Sequence, residues 1–274
     1  MAAAPQAAAR QFTALVLAGS RGPADAVARA AKVSHKALAV IAGKPMLERV
    51  LAALAQSPRI GRIIVQCERP DIAHGLPSAR ELAAQGRFSV LGTGASPAQS
   101  VAKALLEIDA PYPLLVTTAD HPLLSPAMIE HFLAQLPECD VAVGLAPASV
   151  VLAKYPGALR TFYRLGDERW SGCNLFALLN PNAMRAVTYW ARLEQFRKRP
   201  LRLIAAIAAR PLILYAFNLL RLVRLDLPRA MEELSAVIGC CGQAVPMPFA
   251  EAPIDVDKEE DLALVERILA ANRS

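Results

Sequence analysis

The stretch that decides the fold is FTALVLAGSRGP, at residues 12–23. Its first half is an apolar run typical of a buried strand, and the run ends in a turn with two glycines. Glycine lets backbone N–H groups close on an anion without a Cβ clash, so this strand and turn predict a phosphate-binding loop. Arg21 adds a donor suited to phosphate oxygens, and Lys36 a point charge. An ordinary strand-to-helix turn is the alternative. The nucleotide-binding candidates in this loop are Leu17, Ala18, Gly19, Ser20 and Gly22.

The composition is typical of an α/β protein. The 274 residues suffice for one large domain or two small ones, and the 54% hydrophobic share predicts a large core of Ala, Leu and Val. No apolar run reaches the roughly 20 residues of a spanning helix, and the N-terminus lacks the pattern of a secretory signal. We therefore expect residues 1–11 to form a disordered tail. Five scattered cysteines without metal-ligand spacing are typical of a reduced, cytoplasmic protein.

The positive charge is concentrated in one segment. The whole chain carries +6, whereas residues 192–229 alone hold nine basic and two acidic side chains. Because the basicity is local, we do not expect a nucleic acid as partner.

Apolar strands alternate with helices up to residue 145. The strands lack polar alternation, which predicts burial on both faces and a mostly parallel sheet with helices on both sides. Ligands of such sheets bind at the carboxyl ends of the strands. The predicted strands lie at 12–17, 60–66, 88–91, 113–117 and 141–145, and the helices at 45–55, 79–85, 97–107 and from 125.

The pattern changes after residue 150. Residues 162–164 are compatible with a strand or a loop, 173–179 and 244–247 predict strands, and 259–271 predicts a closing helix. Residues 182–238 are mostly helical, with predicted breaks at Pro200, Pro211 and Pro228. We interpret residues 12–274 as a single domain with a basic helical insertion at about 188–240.

Three aspartates are the candidate metal ligands. Asp120 follows a predicted strand, and Asp255 and Asp257 alternate before the last helix, so in an extended segment they share a face. Carboxylate oxygens suit Mg²⁺, which usually takes one or two from the protein and others from substrate phosphates. A turn or cap role is the alternative for Asp120 and for Asp257.

Two further segments carry small polar residues. The loop before the helix at 97–107 could approach a base or ribose, with a plain turn and helix cap as the alternative. Asn174, after Gly172, offers a donor and an acceptor for a second substrate, with a buried structural role as the alternative. The additional nucleotide-binding candidates are Thr93, Gly94, Ser96 and Ser100.

Four ordered motifs give the chain a resemblance to the MobA-like NTP transferase family. They are Leu17-Ala18-Gly19-Ser20-Arg21-Gly22, Lys36-Ala37-Leu38, Asp120-His121-Pro122, and Asp255-Val256-Asp257 with Glu260-Asp261-Leu262. The segment Gly172-Cys173-Asn174 is similar to the family's acceptor-facing Gly-x-Asn, and the resemblance covers about residues 12–180 and 243–271. The chain departs from the family at Ser20, Ala24 and His35, where Gly, a basic residue and Pro are usual.

The resemblance implies a GT-A-like, Rossmann-related fold and a nucleotidyltransferase. In that reaction an oxygen of a small phosphorylated or hydroxylated acceptor attacks the α-phosphorus of an NTP, and pyrophosphate leaves. Mg²⁺ on Asp120 and Asp257 would bridge the α-phosphate and the acceptor. The N–H groups of residues 19–22 with Arg21 would hold the β- and γ-phosphates, and Lys36 would stabilise charge at the α-phosphate.

Two other functions stay open. A glycosyltransferase of the same fold should carry Asp-x-Asp at the end of the central strand, where Thr118-Ala119-Asp120 has one carboxylate. A degenerate member would bind a nucleotide or a membrane without catalysis, as the departures at Ser20, Ala24 and His35 allow.

The insertion predicts a basic amphipathic helix. In residues 200–229, Arg210, Arg221 and Arg224 fall on one side of a helical projection and apolar residues fill most of the rest. Such a helix can lie in a lipid interface, which predicts peripheral contact with the inner face of an anionic membrane. The alternative is packing on the domain or on a second subunit in a homo-oligomer.

Overall fold

A mostly parallel eight-stranded sheet forms the centre of the computed structural model, which describes residues 11–20, 22, 25–196 and 209–271. Two very short strands, β2 and β3, pair separately as a hairpin. In chain order the strands are β1 (Phe12–Leu17), β2 (Val40–Ile41), β3 (Lys44–Pro45), β4 (Ile60–Gln66), β5 (Phe88–Leu91), β6 (Leu114–Thr118), β7 (Val141–Pro147), β8 (Tyr163–Leu165), β9 (Glu168–Leu178) and β10 (Gly242–Pro246).

The helices of the described residues connect these strands. They are α1 (Ala26–Ala30), α2 (Met46–Ala55), α3 (Pro70–His74), α4 (Pro77–Ala84), α5 (Pro97–Glu107), α6 (Pro126–Ala134), α7 (Ala148–Lys154), α8 (Ala183–Phe196), α9 (Ala209–Leu219), α10 (Leu227–Ile238) and α11 (Glu259–Ala271), with a 3₁₀ turn at Lys36–Leu38. Within these ranges, no helix is both long enough and apolar enough to cross a bilayer.

Both faces of the sheet are covered, as the uninterrupted apolar strands predict. Ala14 and Val16 of β1 belong to a core with α2, α4 and α6, whereas Leu15 between them belongs to a second core with α5 and α8. Alternate residues of one strand thus pack into opposite layers. A third, smaller core joins α1 and α11 near the carboxyl edge of the sheet.

The strand order is β10-β7-β9-β6-β1-β4-β5, with β8 paired to β9. β1 runs parallel to β4 and β6, whereas β9 runs antiparallel to all three of its partners, β6, β7 and β8. The apolar run at 173–179 predicts a strand but not its direction, and the observed strand starts earlier, at Glu168. The ambiguous segment at 162–164 contributes to β8, which forms a hairpin with β9.

Two expectations about the insertion were wrong. The predicted helix does not carry all three arginines, because α9 ends at Leu219, and Arg221, whose φ is +59°, and Arg224 lie in the segment between α9 and α10. Pro211 lies inside α9 rather than at a break between two described helices, and residues 197–208 before that helix lie outside the described residues. Pro228 lies at the start of α10, whose cap is Asp226. Pro200 lies outside the described residues.

The carboxyl ends of three central strands lie side by side. Leu17 pairs with Gln66 of β4 and with Thr118 of β6, and the N–H of Ala119 donates to the Leu17 carbonyl at 2.9 Å. The loops that follow β1, β4 and β6 therefore meet at one edge, where α/β sheets bind ligands.

Candidate active site

One lysine connects the two aspartates that we expect to meet. Lys36 Nζ donates to Asp120 Oδ2 at 2.6 Å and to Asp257 Oδ1 at 3.0 Å. The two carboxylates come from the end of β6 and from the segment before α11, so the fold brings mid-chain and tail together. Burial opposes the charged ammonium, but the charges of Asp120 and Asp257 outweigh it and raise the pKa of Lys36. Lys36 is therefore cationic at neutral pH.

A buried histidine fixes the turn that carries Lys36. His35 is 2% exposed, and its Nδ1 accepts from the N–H of Ala37 at 3.1 Å, which caps the 3₁₀ turn. Because Nδ1 accepts, the proton of the neutral ring lies on Nε2, which donates to Glu68 Oε1 at 3.1 Å. His35 thus has a structural role, as the cap of this turn, at a position where Pro is usual in the family.

The same histidine belongs to a group with metal-like spacing. The ligand atoms of His35, Cys67 and Glu68 all lie within 4.8 Å of one another. However, a metal on Nε2 would require the ring proton on Nδ1, where it would oppose the N–H of Ala37. This hydrogen bond argues against a metal at these three residues.

The glycine loop already contacts an anionic side chain. Ser20 N–H donates to Glu68 Oε1 at 3.3 Å, and Gly22 N–H donates to Ser20 Oγ at 3.2 Å. Gly22 has a φ of +66°, which favours glycine. An oxygen on a backbone N–H of this loop supports its predicted affinity for phosphate, which stays a prediction. Arg21 and Ala24 lie outside the described residues.

The second loop lies against the first. A Cβ on Gly19 would be 3.7 Å from Thr93 Cγ2. At Gly94 a Cβ would approach backbone atoms to 2.7 Å, so glycine is required there, and the Gly94 N–H donates to Ser100 Oγ at 2.9 Å. Ser96 caps α5. The turn-and-cap alternative thus accounts for both serines in this structure, and their contact with a nucleotide stays a prediction.

A buried glutamine also joins this loop to the sheet. Gln66, at the end of β4, donates from Nε2 to the Ser100 carbonyl at 2.7 Å. Sequence reasoning missed Gln66 and Glu68, because a polar residue at the end of an apolar strand forms no motif by itself.

The predicted acceptor segment reaches the same site through a bulge. The register of β7 and β9 shifts between Val143 and Leu145, and opposite this shift Asn174 has a φ of +50°. Asn174 Nδ2 donates to Asp255 Oδ2 at 2.9 Å, so the irregular strand aims this side chain at the tail. A Cβ on Gly172 would meet no atom of the described residues within 4 Å, so these residues leave open space beside the bulge.

Asp255 is held differently from the other two aspartates. Arg160 forms an ion pair with its Oδ1, and Asn174 donates to its Oδ2. Burial and the neighbouring charges of Asp120 and Asp257 raise the pKa of Asp255. Its role as a metal ligand stays a prediction. We name Asp120, Asp255 and Asp257, together with Lys36 and Arg160, the aspartate cluster.

The aspartate cluster offers oxygen atoms suited to a hard cation. Asp120 Oδ1 is buried and has no hydrogen-bond partner in the described part of the chain. The Asp257 side chain is 65% exposed and remains accessible from solvent. A buried carboxylate oxygen without a partner costs free energy, and carboxylate oxygens are ligands that Mg²⁺ prefers. The residues present therefore fit a divalent cation between Asp120 and Asp257.

Comparisons with known proteins agree with the observed fold. The model of the MobA-like NTP transferase domain matches residues 14–158. A solved structure described as a hypothetical transferase from Thermus thermophilus is 28% identical, with a TM-score of 0.75 over 92% of this chain and 99% of that chain. A search of curated proteins finds no match.

Two further solved structures share the fold at lower identity. The 4-diphosphocytidyl-2C-methyl-D-erythritol synthase from Anaerococcus prevotii is 11% identical, with a TM-score of 0.54 over 96% of this chain and 97% of its own. A CMP:2-keto-3-deoxy-manno-octonic acid synthetase in complex with CTP is 14% identical, with a TM-score of 0.55 over 97% and 100%. The expected GT-A-like, Rossmann-related fold is thereby confirmed.

Proposed function

We propose a specific reaction for this chain, which belongs to the MobA-like NTP transferase family and is a nucleotidyltransferase. It transfers NMP from an NTP to a small phosphorylated or hydroxylated acceptor with Mg²⁺ and releases pyrophosphate. The observation that carries the proposal is the double contact of Lys36 Nζ with Asp120 and Asp257. An ammonium held by two converging carboxylates marks a position that favours positive charge.

Asp120 and Asp257 would hold the Mg²⁺, and Asp255 is a third candidate ligand. A divalent ion bound there supplies positive charge that neutralises phosphate oxygens during transfer. Asp120 contributes Oδ1, which has no hydrogen-bond partner among the described residues, and the accessible carboxylate of Asp257 also contacts Lys36. These features support the assignment independently of the family.

We infer the remaining roles from the family resemblance and, for the described residues, from their position along the carboxyl edge. The N–H groups of Gly19, Ser20 and Gly22 bind the β- and γ-phosphates, and Arg21 adds a guanidinium. Glu68 must then release the Ser20 N–H, because a carboxylate and a phosphate cannot share one donor. Lys36 stabilises charge on the α-phosphate. The base and ribose bind the loop at 93–100, and Gly172 with Asn174 faces the acceptor.

The test is pyrophosphate release with each of the four NTPs and a panel of phosphorylated and hydroxylated acceptors. We expect one NTP and one acceptor class to support turnover that requires Mg²⁺. Release of a sugar nucleotide's nucleoside diphosphate instead would identify a glycosyltransferase. Nucleotide binding without any turnover would identify a degenerate member and overturn the proposal.

We also propose that the insertion binds an anionic membrane surface. α9 and the turn after it expose large apolar side chains, which we name the leucine patch. Arg221, exposed, and Arg224, also exposed and paired with Asp167, lie among them. Exposed apolar groups with interleaved arginines are suited to a lipid interface. The leucine patch consists of Ile213, Phe217, Leu219, Leu220 and Leu222, each between 42% and 69% exposed.

The leucine patch is anchored near the acceptor side of the sheet. Asn218 is 3% exposed, donates to the Arg164 carbonyl at 2.9 Å and accepts from the Leu225 N–H at 3.0 Å. Arg164 lies in β8, whose partner β9 pairs Trp170 with Pro147 at the carboxyl end of β7. This placement supports an acceptor that is presented at a membrane.

Flotation with vesicles of phosphatidylcholine and anionic phosphatidylglycerol tests the membrane proposal. We expect the protein to float with anionic vesicles at low salt and less with neutral ones. No binding to anionic vesicles would overturn it. A dimer in light scattering that becomes a monomer in the variant Leu222→Ser would assign the patch to a second copy instead.

A further inference from the structure

Arg160 occupies the centre of the charge network beneath the active site. Its side chain is 9% exposed, and its guanidinium forms ion pairs with Asp255 through one terminal nitrogen and with Asp261 through the other. It lies in the loop between α7 and β8, about 95 residues before its partners. No sequence motif contains it.

Asp261 connects Arg160 to the backbone of the candidate ligand Asp257. Its Oδ2 accepts from the N–H groups of Asp257 and Lys258, both at 3.0 Å. Asp261 is the third residue of α11, so these bonds reproduce the returning half of a capping box. One carboxylate thereby joins the guanidinium to the start of the helix and to the residue that faces Lys36.

The segment 255–257 is fixed from the opposite side as well. The N–H of Val256 donates to the Asp120 carbonyl at 2.9 Å. Arg160 and Asn174 both bind the Asp255 side chain. The backbone from Asp255 to Asp257 is therefore held by side-chain contacts on one side and by the Val256 hydrogen bond on the other. Together these contacts fix the distance between Asp257 and Asp120.

We propose that Arg160 is a positioning residue for nucleotidyl transfer: by binding Asp255 and Asp261 together, it holds Asp257 opposite Asp120 for the cation. This inference rests on the proposed function. A planar guanidinium can bind two carboxylates through separate N–H groups, whereas a lysine presents a single compact charge. The arrangement therefore requires arginine in particular.

The primary measurement is the affinity of the full chain for Mn²⁺ alone. The electron paramagnetic resonance signal of free Mn²⁺ reports how much of the ion is unbound. Outer-shell partners of metal ligands typically change metal affinity by about 10- to 100-fold when removed. We expect Arg160→Met to weaken Mn²⁺ binding by at least about tenfold and Arg160→Lys to weaken it less. Wild-type affinity in either variant would overturn the positioning role.

Arg87→Met is the matched control. Arg87 donates to the carbonyls of Ile60 and Gly61 at the amino end of β4, away from the aspartate cluster. We expect this variant to lose thermal stability and to bind Mn²⁺ as the wild type does. If Arg87→Met weakens Mn²⁺ binding as much as Arg160→Met, the effect is general destabilisation and the proposal fails.

Two further measurements separate positioning from stability. The double variant Arg160→Met/Asp261→Asn removes one unpaired buried carboxylate, so its Tm should recover in part while Mn²⁺ affinity stays low. Excess Mg²⁺ should partly restore pyrophosphate release by Arg160→Met. Recovery of Mn²⁺ affinity together with Tm would overturn the inference. Failure of the wild type to bind Mn²⁺ would instead overturn the proposed metal site itself, and this inference with it.

Discussion

The aspartate cluster and the leucine patch depart from ordinary folding rules in opposite directions. In the cluster, the side chains of Lys36, Asp120, Asp255 and Arg160 are largely withdrawn from water and form ion pairs, and the more exposed Asp257 pairs with Lys36. In the patch, five large apolar side chains stay in water although a sizeable core lies close by. The cluster costs free energy because its charged groups lose contact with water. The patch lacks the free energy that burial of its apolar side chains would contribute.

The difference separates two kinds of function. Buried charges that hold one another in place form a pre-organised site, because the geometry is fixed before a ligand arrives. Exposed apolar groups on an anchored helix form a surface that gains free energy only when something covers it. Substitutions in the cluster should therefore change turnover, and substitutions in the patch should change binding to membranes.

The largest effect is expected from Asp120→Asn. The amide keeps the size of the side chain but removes one of the two charges beside Lys36, so turnover should fall on the order of 10³-fold. The fold should survive, because the loop is held by backbone bonds from Ala119 to Leu17 and from Val256 to Asp120. Pyrophosphate release and thermal unfolding measure the two effects.

Asp140→Asn is the control for that substitution. Asp140 accepts from the Cys241 N–H at 2.7 Å and from Asn180 at 2.8 Å, at the amino end of β7. We expect a lower Tm with turnover near wild type. Wild-type turnover in Asp120→Asn would remove this aspartate from the mechanism.

A smaller and more revealing effect is expected from Lys36→Met. Turnover should fall by about 10²-fold, because charge at the α-phosphate loses a fixed donor. Mn²⁺ binding without nucleotide should become tighter, because Asp120 and Asp257 lose their internal cation. The same binding assay checks this opposite change. Weaker Mn²⁺ binding would mean that Lys36 organises the carboxylates rather than competing for them.

The sequence indicates the layered sheet and several site residues for a physical reason. An uninterrupted apolar strand ending in glycines, such as 12–22, is constrained on both faces and at its end. The motifs around Lys36 and Asp120 follow such local constraints, and the fold brings both to one edge with Asp257.

Other features depend on partners that are distant in the chain. Arg160 lies in a loop without periodicity, and its role exists only once Asp255 and Asp261 fold against it. The direction of β9 is likewise set by its neighbours, since an apolar run is equally suited to parallel and antiparallel pairing. In the insertion, a helical projection groups Arg210, Arg221 and Arg224, but α9 ends at Leu219. Periodicity does not show where a helix ends.

A buried histidine beside the cluster predicts a dependence of stability on pH. Complete burial lowers the pKa of His121 to about 4 from 6.5, against the opposing charge of Asp120. Between these values the unfolded chain binds a proton that the folded chain does not, so the free energy of unfolding falls as pH falls from 6.5 to 4. The loss should approach about 3 kcal/mol at pH 4.

Urea unfolding at pH 7 and pH 5 tests this contribution. Each variant is compared with the wild type at both pH values, because carboxylates also titrate in this range. We expect His121→Gln to lose less stability than the wild type on acidification. The control variant is His74→Gln, which removes an imidazole that is exposed on the surface. Equal behaviour of the two variants would argue against a neutral, buried His121.

The smallest effect on the folded protein is expected in the leucine patch. Leu222 is 69% exposed, so Leu222→Ser should change the free energy of unfolding by no more than about 0.5 kcal/mol. Flotation with anionic vesicles should nevertheless decrease, because serine removes apolar area without changing the charge of Arg221 or Arg224. Leu106→Ser is the matched control, since Leu106 is 80% exposed on α5, outside the patch. If both variants float as the wild type does, Leu222 makes no contact with lipid, and the comparison between a chemical site and a docking surface loses its second member.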